Sequence, residues 1–260
     1  MKVVITGANG TVGSVLRDYL QKQGIEVVAW DKKLTPIDDY HQMQNFLNKV
    51  KPDILFHLAI ASQNTGKVNE SWLVNYQWTS ELAWITRIMK IKFIYTSTVM
   101  VFSDNAKGPF TIAHQADAKE GYGYEKRLAE ERVFYQNPDA TVVRLGWQIG
   151  EKPGSNHMID YLDRQMRQPG QINASTKWYP ACSFITDSVE TLYTISRLPT
   201  GLYHLDSNER WNFFEIVCAL KELHNANWQI VAKSDFVFDQ RLIEDKIKPL
   251  SLKSRLPSLP

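Results

Sequence analysis

The first thirteen residues, M-K-V-V-I-T-G-A-N-G-T-V-G, constrain the chain more than any other stretch. A short apolar run ends directly in glycines at positions 7, 10 and 13, and a helix-compatible segment begins near Thr11. A strand that passes through such a loop straight into a helix points backbone N–H groups and the positive helix end outward, an arrangement that suits a pyrophosphate. Missing side chains let backbone and ligand approach closely. An ordinary strand-to-helix turn is the alternative, and it has no need of three glycines at this spacing. The stretch reads as a dinucleotide-binding loop in which Gly7, Asn9, Gly10, Thr11, Val12 and Gly13 line the cofactor.

The pattern of the first turn recurs along the chain. I-E-V-V-A-W, D-I-L-F-H-L-A, K-F-I-Y-T-S-T and T-V-V-R-L-G read as strands buried on both faces, and helix-period segments separate them. This alternation predicts an α/β fold with a doubly wound, Rossmann-type parallel sheet. Within Asn69 to Lys90, Trp72, Tyr76, Thr79, Ala83 and Thr86 recur at helical spacing, which predicts one long helix covering a sheet face. After Gly150 the pattern loosens, with Pro153, Gly154, Pro169 and Gly170 bracketing a helix from about Asn156 to Gln168. Further on, G-L-Y-H-L reads as a strand and Phe213, Val217 and Leu220 as one face of a helix. The expected division is a cofactor-binding domain over 1–150 and a smaller substrate-binding lobe over 151–260, with segments returning to the main domain.

Composition narrows the function. Hydrophobic residues make up 43% of 260, enough for a large buried core. Basic and acidic residues number 30 and 28, so there is no field to hold nucleic acid, and a small molecule is the expected partner. There is neither an apolar run long enough to span a membrane nor a leader-like start, which predicts a soluble, cytoplasmic protein. Cys182 and Cys218 read as buried free thiols. The histidines form no helical pair at ligand spacing, and no metal is expected.

Two further features bear on chemistry. Asp31 follows the second strand 18 residues beyond Gly13, where an acid can accept hydrogen bonds from an adenosine ribose. Lys32 and Lys33 beside it can balance a 2′-phosphate, so NAD and NADP both stay open. In G-Y-G-Y-E-K, Tyr122 stands four residues before Lys126, on the same helix face, while Tyr124 does not. The spacing alone arises about once by chance in a chain with this many tyrosines and lysines. Its context is more specific: a phenol can protonate a carbonyl that accepts hydride if an ammonium brings its pKa down, and Ser97 and Thr98 at the end of the fourth strand supply a polarising hydroxyl.

The glycine spacing G-x-x-G-x-x-G, the strand-end hydroxyl and Tyr-x-x-x-Lys in this order resemble the extended short-chain dehydrogenase/reductase family. Over nearly the whole chain the resemblance is closest to dTDP-4-dehydrorhamnose reductases and related sugar-nucleotide reductases. K-P-D-I-L-F-H-L-A, V-N-Y, S-T-V-M-V-F, Y-G-Y-E-K-R-L-A-E, R-L-G-W, G-L-Y-H-L and P-L-S-L-K-S-R-L carry it. The resemblance implies NAD(P)H-dependent reduction of a 4-keto group on a nucleotide-linked deoxy sugar, with Thr98, Tyr122 and Lys126 as the catalytic trio. It further implies Asp38, Asp39, Ala59, Ile60 and Ser62 as cofactor-lining residues, Thr98, Val99 and Trp147 as substrate contacts, and is compatible with a homodimer. Three departures lie on the substrate side: Val99 and Met100 replace the family's usual Asp and Tyr, and Glu125 replaces the common serine before the lysine. Some relatives are cofactor-binding regulatory subunits, for example of methionine adenosyltransferase, and loss of those polar contacts fits that alternative.

Overall fold

The computed structural model describes residues 1–61, 66, 68–151 and 156–260. Six strands form the central parallel sheet. They are β1 (Lys2–Thr6), β2 (Glu26–Ala29), β3 (Ile54–His57), β4 (Lys92–Thr98), β5 (Thr141–Leu145) and β10 (Gly201–Leu205). In space their order is β10-β5-β4-β3-β1-β2. The chain therefore leaves β1 to one side for β2 and returns to the other side for β3, and this reversal opens a crevice at the carboxyl ends of β1 and β3. β1 pairs in parallel with both, Val4 opposite Val28 and Leu55.

Helix α1 (Thr11–Lys22) joins β1 to β2, and α2 (Tyr40–Val50) leads into β3. Asp39 caps α2 by accepting the Gln42 N–H. The helix expected over Asn69 to Lys90 is interrupted: α3 (Glu70–Trp72) gives way to a π-helical turn, Leu73–Gln77, before α4 (Trp78–Ile88). The wider turn shifts the register of its face. Thr79, Ala83 and Thr86 are buried as expected, but Trp72 is exposed and stacks on Tyr76, and Trp78 takes the core position against Trp30 and His57.

A 3₁₀ turn, Val99–Val101, follows β4. The long helix α5 (Gly121–Gln136) covers β4 and packs along α4 and the π-helical turn. Val133 and Ala129 of α5 bury against the same cluster as Tyr95, Phe93 and Val142. Deeper in that interface the Arg144 guanidinium of β5 donates to both Glu130 carboxylate oxygens, with Nη2–Oε2 at 2.7 Å and both side chains buried.

The remaining elements are β6 (Trp147–Ile149), α6 (Met158–Arg167), β7 (Ile172–Ser175), β8 (Trp178–Tyr179), β9 (Cys182–Phe184), α7 (Ile185–Ile195), α8 (Phe213–Leu223), β11 (Ile230–Lys233), β12 (Phe238–Asp239) and α9 (Leu252–Arg255). The short strands pair in parallel as β6 with β9, β7 with β11 and β8 with β12. Two compact units result. One comprises Met1–Ser103, Gln115–Arg144 and Leu192–Tyr203, and the other Asp104–His114, Leu145–Thr191 and His204–Pro260. The second has its own apolar core, with Met158, Leu162, Phe184, Phe213 and Val217 at its centre. Both cysteines are free; Cys182 is buried, whereas Cys218 is only partly so because it lies off the apolar face of α8. No helix among the described residues is long and apolar enough to cross a membrane.

Truncating one partner of a buried ion pair strands the other charge. Arg144→Met should therefore cost about 3–5 kcal/mol, read as a lower midpoint in urea at unchanged slope. A change below about 1 kcal/mol would place the pair among surface bridges of little worth.

Candidate active site

The three glycines of the first loop do different things. Gly7 has φ +68°, a left-handed conformation, and a Cβ there would lie 2.9 Å from the Ala59 backbone in the turn after β3. Gly13 packs so closely on the Gly7 carbonyl that any side chain would collide with it. These two fix the loop. Gly10 is exposed at the N-cap of α1 with an ordinary φ of −80°, so the fold itself asks little of it. Among the described residues no side chain caps this helix, and its first turn carries no acid. Such a terminus, at the crevice between β1 and β3, fits a diphosphate.

Around the loop, Asn9 is exposed with its Oδ1 accepting from Arg17, and Thr11 and Val12 are half-buried on the first turn of α1. Asp31, Lys32 and Lys33 are all exposed beyond β2, and one Asp31 oxygen accepts the Lys33 N–H at 2.8 Å. Asp38 is exposed, and the Asp39 carboxylate is engaged by the α2 terminus, whose Gln42 N–H holds its pKa below the usual value. Ala59 and Ile60 lie in the turn after β3, while Ser62 lies outside the described residues.

Tyr122 and Lys126 sit one turn apart on α5, with the Lys126 amine 5.9 Å from the centre of the Tyr122 ring. Gly123 between them packs directly on the Met100 carbonyl, with no room for a Cβ, so the first turn of α5 is held against the 3₁₀ turn that Thr98 begins. Thr98 is half-buried and its hydroxyl accepts the Met100 N–H at 3.2 Å. Tyr124 turns elsewhere, its ring 5.4 Å from the Arg127 guanidinium. Val99 is 5% exposed and its carbonyl accepts the Phe102 N–H at 3.1 Å, whereas Met100 is 51% exposed.

Lys126 is 1% exposed, donates to the Thr96 carbonyl at 2.7 Å and lies 4.1 Å from the centre of the Tyr95 ring. Burial brings its amine down to about 7, against the upward pull of Glu130 and Glu125. Without the positive nicotinamide, the Lys126 amine by itself does not draw the Tyr122 phenol towards neutrality. Burial first, and then the Glu125 carboxylate, push that phenol above its ordinary value. The chain by itself therefore holds Tyr122 as a protonated donor.

Sequence reasoning gave Glu125, Ser71 and Asn75 no role, yet they form one cluster. Ser71 Oγ donates to Glu125 Oε2 at 2.6 Å, and Asn75 Nδ2 donates to the same oxygen at 2.8 Å. Nothing in local spacing announces a contact across fifty residues. In the second unit, the Trp147 indole packs on Tyr161, Trp178 and Phe213, with ring centres 5.2 to 6.0 Å away. Those three also line a cavity of about 370 Å³ with Phe236, Asn173 and Lys233.

Between the folded value of about 7 and the ordinary 10.5, the unfolded chain holds a proton on Lys126 that the folded chain has released. Raising pH through that window stabilises the fold, and the penalty is complete below it. Lys126→Met should thus raise Tm more at about pH 6 than at about pH 10. A change in Tm independent of pH would show that the amine is not held in this way.

Similar proteins point the same way as the geometry. The chain is 24% identical over 224 residues to the spore coat polysaccharide biosynthesis protein SpsK of Bacillus subtilis, across 85% of this chain and 78% of that one. It is 28% identical over 198 residues to a dTDP-4-dehydrorhamnose reductase of Mycolicibacterium smegmatis, across 75% of this chain and 60% of the relative. Among solved structures, a dTDP-4-dehydrorhamnose reductase of Bacillus anthracis in complex with NADP superposes with a TM-score of 0.83 at 19% identity, covering 99% and 98% of the two chains. The family model described as the RmlD substrate binding domain matches residues 1–242, and the chain belongs to that family.

Proposed function

We propose that the protein is an NAD(P)H-dependent reductase of a 4-keto group on a nucleotide-linked deoxy sugar. One observation carries the reading: a phenol and a buried amine one helical turn apart, held by Gly123 against the strand end that bears Thr98. Relatives named as dTDP-4-dehydrorhamnose reductases support the substrate class.

In this reading the α1 terminus and the Gly7–Gly13 loop bind the cofactor diphosphate, and Ala59 and Ile60 border it from the turn after β3. Asp31 receives the adenosine ribose, with Lys32 and Lys33 at hand for a 2′-phosphate. Bound there, reduced nicotinamide supplies the hydride. Thr98 and Tyr122 hydrogen-bond the carbonyl oxygen, and Tyr122 gives it a proton as charge develops. Lys126 holds the nicotinamide ribose, and its amine, poised near 7, can return a proton to the phenolate. Trp147 is a substrate contact in this reading, and its ring partners line an aromatic cavity where a planar base can stack.

The test is NAD(P)H oxidation with a panel of 4-keto nucleotide sugars. Tyr122→Phe should lower turnover by about 10²- to 10⁴-fold with cofactor affinity kept, and Tyr124→Phe should be nearly silent. Equal losses in the two variants would remove Tyr122 from its role. If the wild-type chain binds cofactor but turns over no member of the panel, the regulatory-subunit alternative replaces the enzyme.

Cofactor binding is checked separately. Gly10→Val should raise the NAD(P)H dissociation constant at least about tenfold, roughly 1.4 kcal/mol, while the melting temperature holds, because among the described residues only the Gly7 carbonyl oxygen lies near the new Cβ, at 3.2 Å. Unchanged affinity in a fluorescence titration would remove the glycine loop from the cofactor site.

A further inference from the structure

We propose that Glu125 is a positioning residue: through Ser71 and Asn75 its carboxylate ties the catalytic helix to the turn after β3 that borders the cofactor. The links are continuous. Glu125 Oε2 accepts from Ser71 Oγ and from Asn75 Nδ2. Asn75, 1% exposed, also donates to Ser71 Oγ at 3.1 Å, and its Oδ1 accepts the Ala61 N–H at 3.1 Å. One carboxylate oxygen thus orients a buried amide, and that amide holds the backbone of the turn containing Ala59 and Ile60.

The π-helical turn makes this geometry available. Leu73–Gln77 packs on α5, and Ser71 and Asn75 both reach the same oxygen. A serine at position 125 is too short to meet both donors from the same backbone position. The carboxylate is charged, and a charge strengthens both hydrogen bonds.

Glu125 also faces Tyr122, one turn back on α5. The other titratable groups near that phenol are Lys126 on the same helix and Tyr95 on β4. The π-helical turn and the 3₁₀ turn contain no acidic or basic residue, and among the described residues Glu125 is the carboxylate that acts on the phenol. It keeps Tyr122 protonated to higher pH, the form a reductase needs at the start of its cycle. This second consequence rests on the reductase reading; the tie to Ala61 does not.

Three variants separate the parts. Glu125→Gln keeps an oxygen acceptor and removes the charge, Glu125→Ala removes both, and Ser71→Ala removes one donor and leaves the charge. Amide hydrogen exchange is read in peptides ending at Ala61 and spanning Leu73–Gln77, together with NADPH affinity and the pH profile of turnover. Glu125→Ala should speed exchange in both segments by about tenfold and weaken NADPH binding about fivefold. Glu125→Gln should restore most of both while moving the alkaline limb of turnover down by about half a unit. Ser71→Ala should speed exchange modestly with the limb in place, and it carries the test if Glu125→Ala fails to fold.

Unaltered exchange at Ala61 in Glu125→Ala, or no rescue by Gln together with an unmoved limb, would overturn the proposal. A wild-type chain inactive on every sugar would instead defeat the reductase reading, and the exchange and affinity measurements would still decide the tie.

Discussion

An amine taken out of water needs an acceptor, a polarisable surface and a nearby negative charge, and Lys126 is given each. The Thr96 carbonyl accepts its proton, the Tyr95 ring lies beneath it, and Glu130 and Glu125 lie along its own helix. Those supports come from β4 and α5, so the amine can be buried only if helix and strand are in close register. Arg144 then neutralises Glu130 from β5, which keeps a second buried charge from going unmet. The helix carrying the chemistry is thus pinned to two neighbouring strands by charge pairing as well as by the packing of Ala129 and Val133.

Backbone contact sets how near the reacting groups can come. Gly7 against Ala59, Gly13 against Gly7 and Gly123 against Met100 are places where a Cβ has no room. The first brings the β1 and β3 turns together at the point where the strand order reverses, and the second seats the start of α1 on the β1 turn. The third lowers α5 onto the turn that begins at Thr98. Glycine therefore serves the site in two distinct ways: at these positions for packing, and at Gly10, which the fold leaves open, for a ligand.

The strands of the central sheet are legible because each is an apolar run between turn residues, but β2 is not buried on both faces as expected: it ends the sheet, with Glu26 and Ala29 exposed and Val27 and Val28 half-buried. β8 and β12 are not legible, because W-Y and F-D are two residues each and become strands only through the partner they meet. The helix over Asn69 to Lys90 is legible in extent but not in register, since a π-helical turn moves Trp72 out and Trp78 in without altering composition. Tyr122 and Lys126 are legible as a pair from spacing. Their acidities are not: burial depends on everything packed around them, and Glu125 changes sides of the argument once it is seen beside the phenol. Segments returning to the main domain are expected from the sequence, but not which ones: residues 192–203 return to the first unit, and residues 104–114, inside the expected 1–150 domain, belong to the second.

One placement of protons satisfies the polar line through the first unit from end to end. Thr79 donates its hydroxyl proton to the Asn75 carbonyl at 3.0 Å, so the contact between Thr79 Oγ1 and His57 Nε2, at 2.8 Å, needs the imidazole as donor. With Nε2 protonated and burial holding the ring neutral, Nδ1 is an acceptor, and its partner at 2.8 Å is the Thr6 hydroxyl. Having given its proton to the ring, the Thr6 oxygen is free to accept the N–H groups of Leu58 and Ala59, each at 3.2 Å. The same tautomer thus satisfies both ends of the line. The last residue of β1 is bound to the turn after β3 at one end, and at the other Asn75 reaches Ala61 in that turn and Glu125 on the helix of Tyr122. A charged His57 would require Thr6 to accept from the ring as well as from two amides and would leave its hydroxyl proton without this partner, so the neutrality of a fully buried imidazole is part of what holds the cofactor loop and the catalytic helix in one frame.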